Sequence, residues 1–270
     1  MWPHVRVLSR NIRLLVEFDG ADFFGWQRQP ELRTVEGVLT AAIASFVQHP
    51  VRLVASSRTD RGVHALRMPV AFNTTMQISA YGLMRGLNST LPPDVKVHEV
   101  EEMPADWRLR YSAVAKTYLY RYQMGSMPMP LWRRRTHHVK RPSLDVERMI
   151  RAAPLYEGTH DFAAFRAAKC QAKQTVRRIY SSEVRRTSDP AIIEFEVTGS
   201  GFLQYMVRIM AGTLLQVGLE QRSPATIPAL LASGDRTQAG PTLNPQGLTL
   251  VKVFFQGYPK FYTEHTTEES

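Results

Sequence analysis

The alternation of apolar and polar residues over the first 110 positions predicts a regular order of strands and helices. Apolar residues recur every three or four positions from Val35 to Val47, which is the spacing of an amphipathic helix. A weaker helix is predicted over 79–90, where two glycines interrupt the pattern. Strands are predicted at 11–18, 51–55, 68–74 and 95–100. The order β-α-β-β-α-β is that of ferredoxin-like folds, which RNA-binding sheets also use.

The same order of elements recurs after residue 111. Strands are predicted at 114–123, 175–186, 191–198 and 248–255, and helices at 143–156, 202–217 and, as a short addition, 224–233. The first of these helices has Ser143 as its expected N-cap, and the second is opened by Gly199-Ser200-Gly201. A turn at Ser188-Asp189-Pro190 makes the two middle strands a hairpin.

These patterns predict an α+β protein with two ferredoxin-like (β-α-β-β-α-β) halves, residues 10–110 and 111–257. Their antiparallel sheets are expected to join around a central cleft. One irregular α+β domain is the alternative. A connector rich in Met, Pro and Arg occupies 124–142, and 258–270 is expected to be a loose polar tail.

The composition excludes several classes of protein. An apolar fraction of 44% is enough for a packed core, which excludes wholesale disorder. No apolar run approaches the roughly 20 residues of a membrane-spanning helix, and no segment of signal-peptide length follows the N-terminus. The single cysteine, Cys170, excludes an internal disulfide and a Cys-based zinc site. We therefore expect a cytoplasmic protein without a membrane partner.

The charge points to an anionic partner. The 34 Lys and Arg residues exceed the 24 Asp and Glu residues, which gives a net charge of +10 and favours nucleic acid. Arginine dominates, and its planar guanidinium can bind phosphate through two hydrogen bonds. A GC-rich genome would also explain the excess of Arg over Lys, although not the net charge.

The densest polar stretch follows the strand at 51–55 and contains Asp60 between Arg58 and Arg61. The neighbouring guanidinium charges are predicted to lower the pKa of Asp60, and both arginines could hold phosphates of a bound nucleotide. A carboxylate facing a polyanion is electrostatically unusual and suggests chemistry. The alternative is an aspartate in an ordinary turn beside two solvated arginines.

Three other stretches could bind RNA. Strand alternation places Tyr118, Tyr120 and Tyr122 on one face, which could stack bases or face the core. Arg208 is predicted two turns into a helix whose glycine-flanked start could hold an anion; otherwise it is simply exposed. Trp132-Arg133-Arg134-Arg135 is either a phosphate patch or a solvated loop. The chain has no P-loop, dinucleotide-binding or nucleophile-elbow motif, and its histidines lack metal-ligand spacing.

The segment Arg58-Thr59-Asp60-Arg61-Gly62-Val63-His64-Ala65 resembles the R-T-D-x-G-V-H-A segment of the TruA family of tRNA pseudouridine synthases. Six other segments resemble that family in the same order along the chain: Phe18-Asp19-Gly20 with Phe24-Gly25-Trp26-Gln27, Leu87-Asn88 with Leu91-Pro92 and Asp94, Lys116 to Tyr120, His160-Asp161-Phe162 with Phe165, Phe202-Leu203 with Met206-Val207-Arg208, and Gly247-Leu248 with Leu250. Together they span about residues 12 to 255.

This resemblance implies two ferredoxin-like halves meeting in a basic cleft, in a homodimer. It implies isomerisation of uridine to pseudouridine at positions 38, 39 and 40 of the tRNA anticodon stem-loop, with no cofactor and no metal. By the same resemblance, Asp60 is the catalytic aspartate and Tyr118 stacks on the target base. Arg58 and Arg208 hold phosphate or pair with the carboxylate, and Leu248 closes over the base.

The sequence departs from the family pattern at Arg61, at Met68-Pro69 and at Trp107-Arg108-Leu109-Arg110. These departures concern rim contacts and substrate range. Two alternatives therefore stay open: a non-catalytic RNA-binding protein on the same scaffold, and a related synthase with another RNA target. The chemical route is also open, because a carboxylate can attack C1′ or help form a glycal by removing a sugar proton.

Overall fold

The computed structural model describes residues 9–140, 144–168 and 170–256, and it is a mixed α+β fold built on one ten-stranded sheet. The strands are β1 (Arg10–Phe18), β2 (Val54–Ala55), β3 (His64–Thr74), β4 (Val95–Met103), β5 (Ala113–Met124), β6 (His137–Val139), β7 (Gly158–Asp161), β8 (Val176–Arg186), β9 (Ile192–Gly199) and β10 (Leu248–Phe255). The helices of these residues are α1 (Val35–Val47), α2 (Ala80–Thr90), α3 (Leu109–Ser112), α4 (Val146–Ala152), α5 (Met206–Gly218) and α6 (Thr226–Ser233). None of them is long and apolar enough to cross a bilayer.

The strand order across the sheet is β4-β1-β3-β10-β5-β9-β8-β7, with β2 paired to β3 and β6 to β5. β10, the last of these strands along the chain, therefore lies between β3 and β5 and joins the first four strands to the next five. It pairs antiparallel with β5 along most of its length and parallel with β3 at only two positions, Thr249 with His64 and Leu250 with Ala65. The centre of the sheet is thus a short parallel junction. The only other parallel pairing among the described strands is that of β6 with β5, and the polar loop that contains Asp60 ends at the central junction.

Most predicted elements are confirmed, because their local signals agree with their packing. Helix α1 has the predicted bounds: the Thr34 side chain accepts a hydrogen bond from Gly37 N–H, and the predicted apolar stripe is buried or partly buried against the core. Strand β10 and the hairpin of β8 and β9 also form as predicted. The strand predicted at 51–55 is wrong in length, since only Val54–Ala55 pairs with β3, which itself begins four residues earlier than predicted.

Two helix starts differ from the prediction. Helix α4 begins at Val146 with Asp145 as its cap, whose side chain accepts from Arg148 N–H at 2.9 Å; Ser143 lies outside the described residues. Helix α5 begins only at Met206, because Gly199 still belongs to β9 and Tyr205 has a φ of +64°. The Gly-Ser-Gly segment is therefore not the helix N-terminus that was predicted to hold an anion.

Two of the three aligned tyrosines belong to the core. Tyr120 donates a hydrogen bond to the carbonyl of Asn244 at 2.8 Å, and Tyr122 to that of Ala211, in α5, at 2.9 Å. Both rings are fully buried. Of the two alternatives for this face, the core is therefore correct for Tyr120 and Tyr122, whereas Tyr118 keeps a small exposed surface.

Candidate active site

The loop that contains Asp60 is held by backbone hydrogen bonds to the segment after β1. Trp26 N–H donates to the Thr59 carbonyl at 3.0 Å, and Gly62 N–H donates to the Phe23 carbonyl at 3.3 Å. On the far side, Val63 N–H closes a turn onto the Asp60 carbonyl at 3.2 Å. The backbone is therefore held one residue before Asp60 and two residues after it, and the Asp60 carbonyl itself closes a turn.

Two glycines allow this close contact. A Cβ on Gly20 would lie 1.9 Å from the Val63 carbonyl oxygen, which no side chain can tolerate. Gly25 has a φ of +88°, and a Cβ there would lie 2.8 Å from the Thr59 carbonyl oxygen. The early glycines of the family-like segments thus have a direct physical role, which is to let one backbone lie against the loop that contains Asp60.

Asp60 faces a cleft of about 1300 Å³. It is lined by the Asp60 loop, by Phe24 and Trp26, and by the segment from Phe202 to Val207. Tyr118 on β5 and Leu248 on β10 also line it. The charged side chains that line the cleft are Asp60, Arg58, Arg61, Arg110 and Lys116. The cleft therefore combines four basic groups with a single carboxylate.

The ion-pair partner of Asp60 is Arg208, from the first turn of α5. The two side chains approach to 3.5 Å and are both largely shielded from solvent. Arg208 is itself fixed by a hydrogen bond from Nε to the Leu243 carbonyl at 2.7 Å and by the Tyr205 ring, 4.6 Å from its guanidinium carbon. The alternative of an exposed Arg208 deep in the helix is therefore wrong, because the helix begins later and a loop covers this side.

The pKa of Asp60 is raised, which contradicts the sequence prediction. Burial is the largest cause because it disfavours the charged carboxylate, and Arg208 only partly opposes it. Arg58 and Arg61, the neighbours in sequence, form no ion pair with Asp60. Sequence adjacency did not correspond to contact, since both guanidinium groups are exposed while the carboxylate points inward.

Tyr118 presents a limited surface to the cleft. It is 8% exposed, and its ring packs edge to face against Phe202 at a centroid distance of 5.2 Å. Burial raises the pKa of its hydroxyl to about 12, an effect that the Ser57 side chain partly opposes. The phenol is therefore neutral at physiological pH, and its ring is held in one orientation.

Lys116 is a cleft residue to which sequence reasoning gave no role. Its Nζ donates a hydrogen bond to the Ser56 carbonyl at 2.8 Å, which ties β5 to the start of the Asp60 loop. Burial lowers its pKa to about 8. The missed signal was the strand alternation itself, because position 116 lies on the same face as 118.

The other residues that the sequence singled out do not all lie in the cleft. Arg58 and Leu248 line the cleft with Asp60 and Tyr118. In the Trp132–Arg135 segment, Arg134 is engaged in ion pairs with Asp22 and, at 3.9 Å, with Asp19. Among the described ranges, no group of three or more His, Cys, Asp or Glu side chains is arranged to hold a metal.

Comparison with known proteins places this geometry in a family. A model of the tRNA pseudouridine synthase family matches residues 14–112 and 152–256. A tRNA pseudouridine synthase A from Geotalea uraniireducens (strain Rf4) is 44% identical over 246 residues, covering 91% of this chain and 100% of that protein. One from Caldicellulosiruptor bescii is 42% identical over 248 residues, again covering 91% and 100%. A solved Cbf5-Nop10-Gar1 complex is far more distant, at 12% identity, a TM-score of 0.36, and coverage of 88% of this chain and 57% of that one. The chain belongs to the tRNA pseudouridine synthase family, the enzymes that isomerise uridine in tRNA.

Proposed function

We propose that Asp60 is the carboxylate that acts on the ribose of the target uridine, at positions 38, 39 and 40 of the anticodon stem-loop. The observation that supports this is the convergence of Asp60, Tyr118 and Leu248 in one cleft, with a single carboxylate among basic side chains. Either chemical route requires ionised Asp60: it attacks C1′ as a nucleophile or removes a sugar proton as a base. Arg208 favours the ionised form of the carboxylate, against the effect of burial, and orients it.

The reaction needs no net change in atoms. The N1–C1′ bond breaks, the detached uracil turns, and C5 bonds to C1′. C5 then loses its proton, and N1 of the product carries a proton instead. The uracil must leave the base stack and stay in the pocket while it turns. In our proposal Tyr118 stacks on the uracil and Leu248 closes over it, while Arg58 binds a phosphate beside it. The Tyr118 ring and Leu248 keep water away from the sugar while its bond to uracil is broken.

We also propose an architecture for the assembled enzyme. Residues 10–110 and 111–257 form two ferredoxin-like halves, and the strand order, in which β10 joins the two sets of strands, supports this division. The cleft between them is the basic surface that receives tRNA. The working enzyme is a homodimer in the cytoplasm, as the family resemblance implies. The tail proposed for 258–270 lies outside the described residues.

The target position is tested by mapping. An unmodified tRNA transcript with uridines at 38–40 is incubated with the protein, and pseudouridines are located by carbodiimide labelling and primer extension. We expect stops at these positions and none when the same uridines are replaced by cytidine. Modification elsewhere in the transcript, or in ribosomal RNA fragments alone, would contradict the anticodon-arm target while leaving the isomerisation chemistry intact.

The role of Tyr118 gives a second prediction. Tyr118→Ala removes the stacking ring, and since base–aromatic stacking contributes about 1–3 kcal/mol, kcat/KM is expected to fall roughly tenfold to hundredfold. Tyr118→Phe keeps the ring against Phe202 and is expected to stay within a few-fold of the wild type. Steady-state kinetics on the same transcript measures both. Equal losses in the two variants would show that the hydroxyl, rather than the ring, carries the function.

A further inference from the structure

A second pocket shares Asp60 with the main cleft. It has a volume of about 420 Å³ and is lined by residues from five separate parts of the chain. The charged ones are Asp60, Arg61, Arg133, Arg134 and Arg208. Four guanidinium groups and one carboxylate are an anion-binding composition, and Asp60 stands between this pocket and the cleft.

Two of the four arginines are already engaged within the protein. Arg134 forms ion pairs with Asp22 and Asp19, and Arg208 pairs with Asp60. Arg61 and Arg133 are exposed, and neither forms an ion pair with any residue that the structure describes. Arg61 lies over the Phe24 ring at 4.2 Å, which fixes its plane. Two guanidinium groups therefore remain to bind a ligand from solution.

The position of Asp60 indicates which ligand. Every ribose within an RNA strand has a phosphate on each side, so a carboxylate that reaches the sugar has two phosphates close by. The main cleft offers Arg58 to one of them. We propose that Arg61 and Arg133 bind the other, the backbone phosphate on the opposite side of the target uridine. This inference rests on the proposed function of Asp60 and extends it to the neighbouring nucleotide.

The charge pattern also explains why the connector arginines are not equivalent. Arg134 is neutralised by two carboxylates, so it fixes the connector against the segment after β1. Arg133, its neighbour, has no such partner among the described residues and lines the pocket. Within the phosphate patch predicted from the sequence, Arg134 is therefore structural, whereas Arg133 is free to bind phosphate.

The test is salt-dependent binding of an unmodified tRNA transcript to the full chain. Arg133→Gln and Arg61→Gln are each expected to weaken binding about tenfold at low salt, since a charge-assisted contact is lost. The slope of log Kd against log salt concentration is expected to decrease by about 0.7–0.9 for each lost phosphate contact. Arg133→Lys, which keeps the charge, is expected to restore the slope. Arg85→Gln is the matched control, because Arg85 is exposed on α2 and lines neither pocket.

Isomerisation by the wild type is measured alongside, which separates the two proposals. If the wild type modifies the transcript and both variants match Arg85→Gln in affinity and slope, the phosphate pocket is wrong and the role of Asp60 is untouched. A reduced slope in both variants, restored by Arg133→Lys, supports the pocket. A wild type that binds with these slopes but modifies nothing would overturn the role of Asp60 and, with it, the assignment of the bound phosphate to the target uridine, although the pocket would still bind phosphate.

Discussion

Asp60→Asn is expected to abolish pseudouridine formation, lowering kcat by about four orders of magnitude or more. The substitution keeps the size and the hydrogen-bonding reach of the side chain but removes the negative charge that both chemical routes require. Among the residues that the structure describes, Asp60 is the only carboxylate lining the cleft, so none of its described neighbours there can replace it. Single-turnover assays on an unmodified tRNA transcript, with pseudouridine mapped by primer extension, measure the loss.

The same variant should bind tRNA as well as the wild type, or more tightly. Removing a negative charge from a cleft with four basic side chains lowers the electrostatic cost of bringing phosphate near. Filter binding at two salt concentrations measures this affinity. Weaker binding together with lost activity would indicate that Asp60 holds the loop rather than the chemistry, and a thermal unfolding curve would then show a lower Tm.

The sequence predicted those elements whose local pattern and packing agree. Helix α1 has a capping threonine and a complete apolar stripe, so its bounds could be predicted from the sequence alone. The start of α5 could not, because Phe202 and Leu203 continue the apolar spacing before the helix begins. The left-handed backbone of Tyr205 prevents the helix from starting earlier. Few non-glycine residues adopt this conformation, and the spacing of apolar residues does not indicate it.

The sequence singled out residues that share one cleft, but it did not predict the electrostatics of that cleft. The family-like segments identified Asp60, Tyr118, Arg58 and Leu248, and all four line one cleft. Charge adjacency predicted a lowered pKa for Asp60, whereas burial raises it. Sequence shows which charges are near along the chain, but it does not show how much water the fold removes. Desolvation is set by residues from distant segments, and here it outweighs the single nearby guanidinium.

The same limit applies to the aromatic strand. Tyr118, Tyr120 and Tyr122 are equivalent by alternation, yet helix α5 and the Asn244 segment cover the last two and leave only the first in the cleft. Which residue of a stripe remains at the surface depends on where the covering element ends. That is a tertiary property, and only the three-dimensional packing reveals it.

Arg208→Gln is expected to lower kcat/KM about hundredfold at neutral pH. Arg208 is the one cation that pairs with Asp60 among the described residues, and its charge opposes the effect of burial on the carboxylate. A nearby opposite charge typically lowers the pKa of an aspartate by about 1–3, so its loss can reduce the ionised carboxylate by roughly hundredfold. Part of the loss comes from misorientation, because the Arg208 Nε bond to the Leu243 carbonyl disappears as well.

The pH profile separates charge from orientation. Because burial raises the pKa of Asp60, activity that needs the ionised carboxylate is lost, on lowering the pH, earlier than an ordinary aspartate would allow. Arg208 lowers that pKa, so Arg208→Gln should move the acid limb of kcat/KM to still higher pH. Arg208→Lys keeps the charge without the Leu243 contact, and its acid limb should stay near that of the wild type. If Lys and Gln shifted the limb equally, Arg208 would act by positioning Asp60 alone, and its charge would not control the ionisation of the carboxylate.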